Sequence, residues 1–209
     1  MAHERELAYP TDTAQPAGDR ASWLGRLVDH FRHNRARLDA AHALYVALVE
    51  QARRPLLYAE LGVPDSRGGR LELINIHAIL VMRRLRSHGQ PGEALAQSLF
   101  DVMFHDVDQH LREWGVGDLS VGKHVRKLAQ SFYGRAAALD PLLDACDRQG
   151  LEDVLRRNVY TEAVDPAATT VARLADYVLA QDRHLAEQHG AGLLAGTVRF
   201  AAVETGIRP

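Results

Sequence analysis

The stretch that most constrains the fold is LELINIHAILVMRRLRSHG, residues 71 to 89. Between Leu71 and Met82 almost every face is apolar, and the segment then turns basic at Arg83, Arg84 and Arg86 before Gly89. It is long, and helical patterns flank it. This favours a helix over the rival reading of INIHAILVM as a buried parallel strand. A helix apolar all round must be surrounded by others, so it belongs at the centre of a bundle.

The remaining periodicity agrees. Trp23, Leu24, Leu27, Val28 and Phe31 recur at helical spacing, followed by Leu38, Ala41, Tyr45, Leu48, Val49 and Ala52, and these predict two amphipathic helices. The second should stop before Pro55, which suits the first turn of a short helix, PLLYAELG, capped by Gly62 and closed by Pro64. DSRGG at 65–69 reads as a turn. Pro91 opens a helix with the buried stripe Leu95, Leu99, Phe100, Met103, Val107, Leu111 and Trp114, ended by Gly115. Asp118 or Ser120 caps the next, which carries Val125, Leu128, Phe132, Ala136 and Leu139 inward. Pro141 opens a short helical piece, and Leu151, Val154, Leu155 and Val159 form another. Asp165 and Pro166 start the last long helix, which ends at Gly190. The segment after Gly190 is apolar without a clear period. No alternating strand pattern and no fixed repeat is found. The expected fold is all-α: a compact single-domain array of about 6–9 helices over 21–209, preceded by a mobile arm over 1–20.

Composition bounds the function. With 209 residues, 46% hydrophobic and 25% charged, the chain can bury a core as one domain. A net charge of -2 gives the whole molecule no drive toward DNA or an anionic membrane, so charge-based recognition must be local. A single cysteine, Cys146, excludes an internal disulfide and a Cys-rich zinc site, and reads as a packing residue. No stretch nears the roughly 20 apolar residues of a membrane span. The start of the chain lacks a signal-peptide core. The expectation is a soluble, cytoplasmic protein.

Three constellations invite chemistry. GDLSVGKH at 117–124 follows the phosphate-loop pattern for seven positions, but His124 replaces the magnesium-binding hydroxyl and an amphipathic helix precedes it instead of a strand, so the reading is a helix–loop–helix connection. His105 and Asp106, with His77 upstream, supply the ligands of an HD-type metal-dependent phosphohydrolase, and Asp101, His105 and Asp108 could share a divalent metal. Against both, Glu93, Gln97, Asp101, His105, Asp108 and Arg112 form one polar stripe at helical steps, which describes a solvated face. His77, set among Ile76, Ile79 and Leu80, reads as a neutral, hydrogen-bonded core histidine. Neither a metal nor another cofactor is expected, and no small-molecule substrate.

Charge is unevenly spread. From Leu119 to Leu139 there is no acid, against Lys123, Arg126, Lys127 and Arg135, while residues 91–118 hold six acids against Arg112. The two segments could pair within the fold, be solvated separately, or leave a basic patch for an acidic protein, RNA or lipid head groups.

LYVALVEQARRPLLYAELGVPDS at 44–66, LELINIHAILVMRRLR at 71–86, and LFDVMFHDVDQHLREWGVGDLSVGKHVRKLAQSFYGRAAALD at 99–140 together resemble the ubiquinol-cytochrome c chaperone family, with WGVGDLSVGK, the later FYGR and LRRNVY as its specific strings. These are bacterial relatives of a mitochondrial factor that assists cytochrome b synthesis and assembly. The resemblance implies a non-enzymatic assembly factor that engages new cytochrome b during biogenesis of the bc1 complex. Such a client calls for an apolar groove, for which 44–61 and 71–82 are candidates. It also implies a partner at the ribosome or at the inner face of the membrane. Candidate contact residues are Tyr58, Arg83, Arg84, Lys123, Arg126, Lys127, Tyr133 and Arg135. The alternatives are the HD-type phosphohydrolase and a general membrane- or ribosome-associated binding protein.

Overall fold

A computed structural model describes the backbone of residues 18–113, 115, 117–161 and 166–203, and the side chains from 34 onward except those of 118 and 119. The described residues contain eight helices and no strand: α1 (Gly18–Ala52), α2 (Pro55–Ala59), α3 (Arg67–Arg86), α4 (Gly89–Glu113), α5 (Asp118–Asp144), α6 (Arg148–Asn158), α7 (Ala168–Ala186) and α8 (Gly190–Leu194). The chain divides into two units, Met1–Arg35 and Ala36–Pro209. In the first, the described backbone is helical from Gly18. Most of the arm expected over 1–20 lies outside the described residues. Everything below concerns the second unit.

α3 is the central helix, packing on α4, α5, α7 and α8. Its residues from Glu72 to Met82 are buried apart from Ile74. For the groove expectation this means that 71–82 is mostly core, with Met82 reaching one surface cleft and Leu71, Glu72 and Asn75 another. Of the described large apolar side chains, Leu38, Val46 and Tyr133 are exposed.

Several boundaries differ from the sequence reading for local reasons. The two helices expected within 22–52 are one, α1, because neither glycine nor proline interrupts the chain between Phe31 and Leu38. The turn at 65–69 is shorter, since Ser66 accepts a hydrogen bond from the Gly69 amide at 3.1 Å and α3 starts at Arg67. Gly69 is obligatory there: a Cβ would stand 2.0 Å from the Pro64 carbonyl oxygen. The α3–α4 hairpin relies on Gly92 likewise, with Leu85 O 1.9 Å from a would-be Cβ. Pro141 lies inside α5 instead of opening a new piece; it falls in the last turn, where little of the helix remains for a proline to disrupt. The N-cap of α5 is Gly117, where the sequence offered Asp118 or Ser120. α7 begins at Ala168 with Ala167 as its cap, so Pro166 precedes the helix, while Asp165 is outside the described residues. Cys146 does not pack; it is exposed in a left-handed turn (φ 50°) after α5.

The segment after Gly190, left without assignment by its pattern, forms α8 and then a strap over 197–203 without regular secondary structure. No helix of the described residues is long and apolar enough to cross a membrane.

Candidate functional site

α5 places the acid-free stretch on the surface. Val121, Phe132, Ala136, Leu139 and Leu143 are buried along its inner stripe. Lys123, Arg126, Lys127, Gln130 and Tyr133 therefore follow the outer one, at three- and four-residue steps. The three cations are exposed and make no ion pair with a described residue. Tyr133, 49% exposed, stacks on Phe100 of α4 with ring centres 5.0 Å apart and planes at 29°. Phe100 also touches Phe104 and Phe132, so the exposed ring is the tip of a buried aromatic cluster. Beside it lies a cleft of about 240 Å³ lined by Met82, Arg86, Glu93, Ala96, Gln97, Phe100 and Tyr133.

The acidic side of α4 does not pair with this face. Asp108 takes Arg112 at 2.6 Å on its own helix, and Asp106 accepts the Tyr45 hydroxyl at 2.6 Å. Desolvation, followed by the Asp106 carboxylate, drives the Tyr45 hydroxyl well above its ordinary pKa. The helices pack through their apolar stripes and leave the two charged faces to solvent.

The other candidates hold the fold together. Arg83 meets Asp140 at 3.5 Å, Asp182 at 3.3 Å, and Asp144, tying α3 to α5 and α7. Arg84 donates to the Ser87 hydroxyl and to the Gln188 carbonyl, both at 3.1 Å. Arg135 grips Glu72 with two nitrogens. Burial pushes the Glu72 carboxyl above its usual value, and Arg135 opposes that rise. Tyr58, half-buried, donates to the Ala52 carbonyl at 2.7 Å under the Arg70 guanidinium; burial raises its pKa. Its open side faces a cleft of about 470 Å³ that Arg53, Pro55 and Asp65 also line. The structure thus brings together Lys123, Arg126, Lys127 and Tyr133, and not the eight residues as a set.

The chemical constellations do not assemble. His77 is fully buried, its Nδ1 2.7 Å from Leu73 O and its Nε2 2.7 Å from the Tyr177 hydroxyl, which in turn accepts from Gln51 Nε2 at 2.9 Å. Because a carbonyl can only accept, Nδ1 carries the proton and Nε2 accepts from Tyr177. Desolvation lowers the His77 pKa to about 4, so it is the neutral core histidine that its neighbours predict. His105 is exposed beside Gln109, and Asp101 accepts from Gln97. No three His, Cys, Asp or Glu groups converge on a metal position among the described residues. Gly117 runs directly into α5, the amides of Ser120 and Val121 bonding back to Gly117 O at 2.7 and 3.2 Å, so no phosphate cradle forms.

Sequence reasoning missed two glutamines. Gln181 Nε2 donates to Ala201 O at 2.9 Å while its Oε1 accepts from Ala201 N at 2.8 Å. Gln188 repeats this at Arg199, with 2.6 and 3.0 Å. One signal was present: Gln181 lies between Val178 and Leu185 on the buried stripe of α7.

Comparison with known proteins agrees with this architecture. The profile of the family described as ubiquinol-cytochrome C chaperone matches residues 59–200. Ubiquinol-cytochrome-c reductase complex assembly factor 1 of Xenopus laevis is 23% identical over 155 residues, covering 74% of this chain and 76% of that protein. The crystal structure of the Cbp3 homolog from Brucella abortus superposes with a TM-score of 0.75 at 35% identity, over 85% of this chain and 97% of that one. It is a family of chaperones and assembly factors, not of enzymes. Matched over more than half its length and sharing that fold, the chain belongs to the ubiquinol-cytochrome c chaperone family.

Proposed function

We propose that the protein is an assembly chaperone that receives newly made cytochrome b during biogenesis of the ubiquinol-cytochrome c reductase complex, and that the outer stripe of α5 is its docking surface. The observation that carries this reading is the contrast among its cations. Arg83, Arg84 and Arg135 are held by partners within the fold, whereas Lys123, Arg126 and Lys127 stand exposed in an acid-free stretch next to an exposed aromatic ring. Exposed cations that pair with no described residue, on one helix stripe with a rigid aromatic, are the residue types that serve recognition surfaces. Catalysis is not part of the reading.

A membrane-embedded client meets a chain that has no membrane-spanning helix among its described residues. The encounter therefore takes place at the membrane face or where the client emerges from the ribosome, and a cationic stripe suits either surface. The test is deletion of the protein in its host: haem-loaded cytochrome b should fall. Unchanged levels would sink the proposal. Salt-sensitive binding to vesicles or ribosomes with no enrichment of cytochrome b would support a general surface-associated protein instead.

A further inference from the structure

We infer that the outer stripe of α5 and the cleft beside Tyr133 form one composite site, which takes an amphipathic helix with acids at one end of its stripe and an apolar anchor residue at the other. The inference rests on the reading of this face as a docking surface and adds the chemistry of what docks there.

The stripe has a direction. Lys123, Arg126 and Lys127 occupy its start, exposed and without an ion pair to a described residue, and Gln130 and Tyr133 continue it. Lys123 and Tyr133 are ten residues apart, about 15 Å along a helix axis. Charge therefore sits at one end and an aromatic ring at the other. A second helix laid along α5 meets it with side chains at steps of three and four, the rows on which these residues stand.

The aromatic end is a socket. Met82 and Ala96, both almost wholly buried, lie deep in the cleft, and the stacked rings of Phe100 and Tyr133 line it. Phe104 and Phe132 back the Phe100 ring, so this wall is already ordered before anything binds. At about 240 Å³ the cleft is smaller than the roughly 300 Å³ at which small-molecule pockets begin, a size that suits one apolar side chain. Arg86 and Glu93 line it as well, opposite in sign and both exposed, so it carries no net charge. The acids of an occupant accordingly belong over Lys123 to Lys127, and its apolar residue at the cleft.

Only one class of occupant uses both parts. Lipid head groups or RNA phosphates would meet the cations and leave the apolar cleft empty. A wholly apolar membrane span would fill the cleft and leave three cations facing no charge. Exposed acids on the adjacent α4, Asp101 and Glu113 among them, would also repel a broad anionic surface laid across both helices. An acidic amphipathic helix complements the cations and supplies the anchor.

Fluorescence anisotropy on the intact protein tests this with a labelled alanine-based helix of about 20 residues. The probe carries glutamates at i, i+3 and i+4 and a phenylalanine at i+11, all on one stripe, and is made in both chain directions. One direction should bind, and replacing its phenylalanine by alanine, or its glutamates by glutamine, should each weaken binding about tenfold. With the Tyr133→Ala variant, shown folded by circular dichroism, the phenylalanine probe should lose its advantage over the alanine one. With the variant carrying Lys123→Glu, Arg126→Glu and Lys127→Glu, the glutamate probe should lose its advantage over the glutamine one. A merely loosened fold would produce neither selective loss. Absence of binding in both directions, or equal binding of the phenylalanine and alanine probes to the parent, overturns the inference. Tighter binding of phosphatidylglycerol vesicles or of polyuridine RNA than of the probe overturns it too. If cytochrome b is recovered with the protein and no probe binds, the chaperone reading stands and the composite site falls. If the probe binds with both dependences and no cytochrome b is recovered, the composite site stands and that reading falls.

Discussion

Arg135 meets both carboxylate oxygens of Glu72 at 2.5 Å, joining α5 to α3 through a pair in which the glutamate is almost wholly buried. The arginine of the FYGR string is thereby structural. Arg135→Ala would leave a buried carboxylate without its partner and should cost about 3 kcal/mol, read as a shift in the urea midpoint. Replacing both residues by apolar ones of similar volume should recover most of the loss. A single substitution that left stability unchanged would contradict this role.

His77 predicts an acid dependence. Its folded pKa, about 4, lies below the ordinary value near 6.5, so the unfolded chain binds the proton more tightly. The associated stability is complete above about pH 6.5 and is lost as pH falls toward 4, a contribution of about 3 kcal/mol. Urea titrations of the native protein and of His77→Gln across that window check the sign. The native protein should lose stability more steeply than the variant.

Glycines separate into two groups. Gly92→Ala would drive a methyl into the Leu85 carbonyl and should prevent folding or cost more than about 3 kcal/mol. Gly122 and Gly134 sit within α5 with nothing within 4 Å of a would-be Cβ, so alanine at either should stabilise by about 0.5–1 kcal/mol. Thermal melts of the three variants decide it.

The helical class was legible because apolar spacing reports burial directly, and the same logic placed His77 in the core among Ile76, Ile79 and Leu80. Where a boundary is set by tertiary contact, the pattern is silent. Nothing local distinguishes Pro141 ending a helix from Pro141 riding in the last turn of α5. The apolar run 71–82 suggested a groove because hydrophobicity does not say whether a face is covered. Charge was equally ambiguous: Arg83 and Arg135 look like Lys123 in sequence, and only the positions of Asp182 and Glu72 on other helices reveal which cations are spent. The strap lacked a period because its backbone is held by glutamine side chains instead of a ladder.

The docking face predicts separation of stability from function. Single reversals Lys123→Glu, Arg126→Glu and Lys127→Glu remove no described ion pair and should each change stability by less than about 0.5 kcal/mol. Melting temperatures well below that of the parent would show that these cations are structural after all.

The most direct measurement is recovery of cytochrome b with the tagged protein from host membranes, comparing the parent with the variant carrying all three reversals. Cytochrome b should co-purify with the parent, and recovery should fall about tenfold with the folded variant, since reversing complementary charge acts on encounter and retention together. Equal recovery with both proteins, or none with the parent, would contradict it.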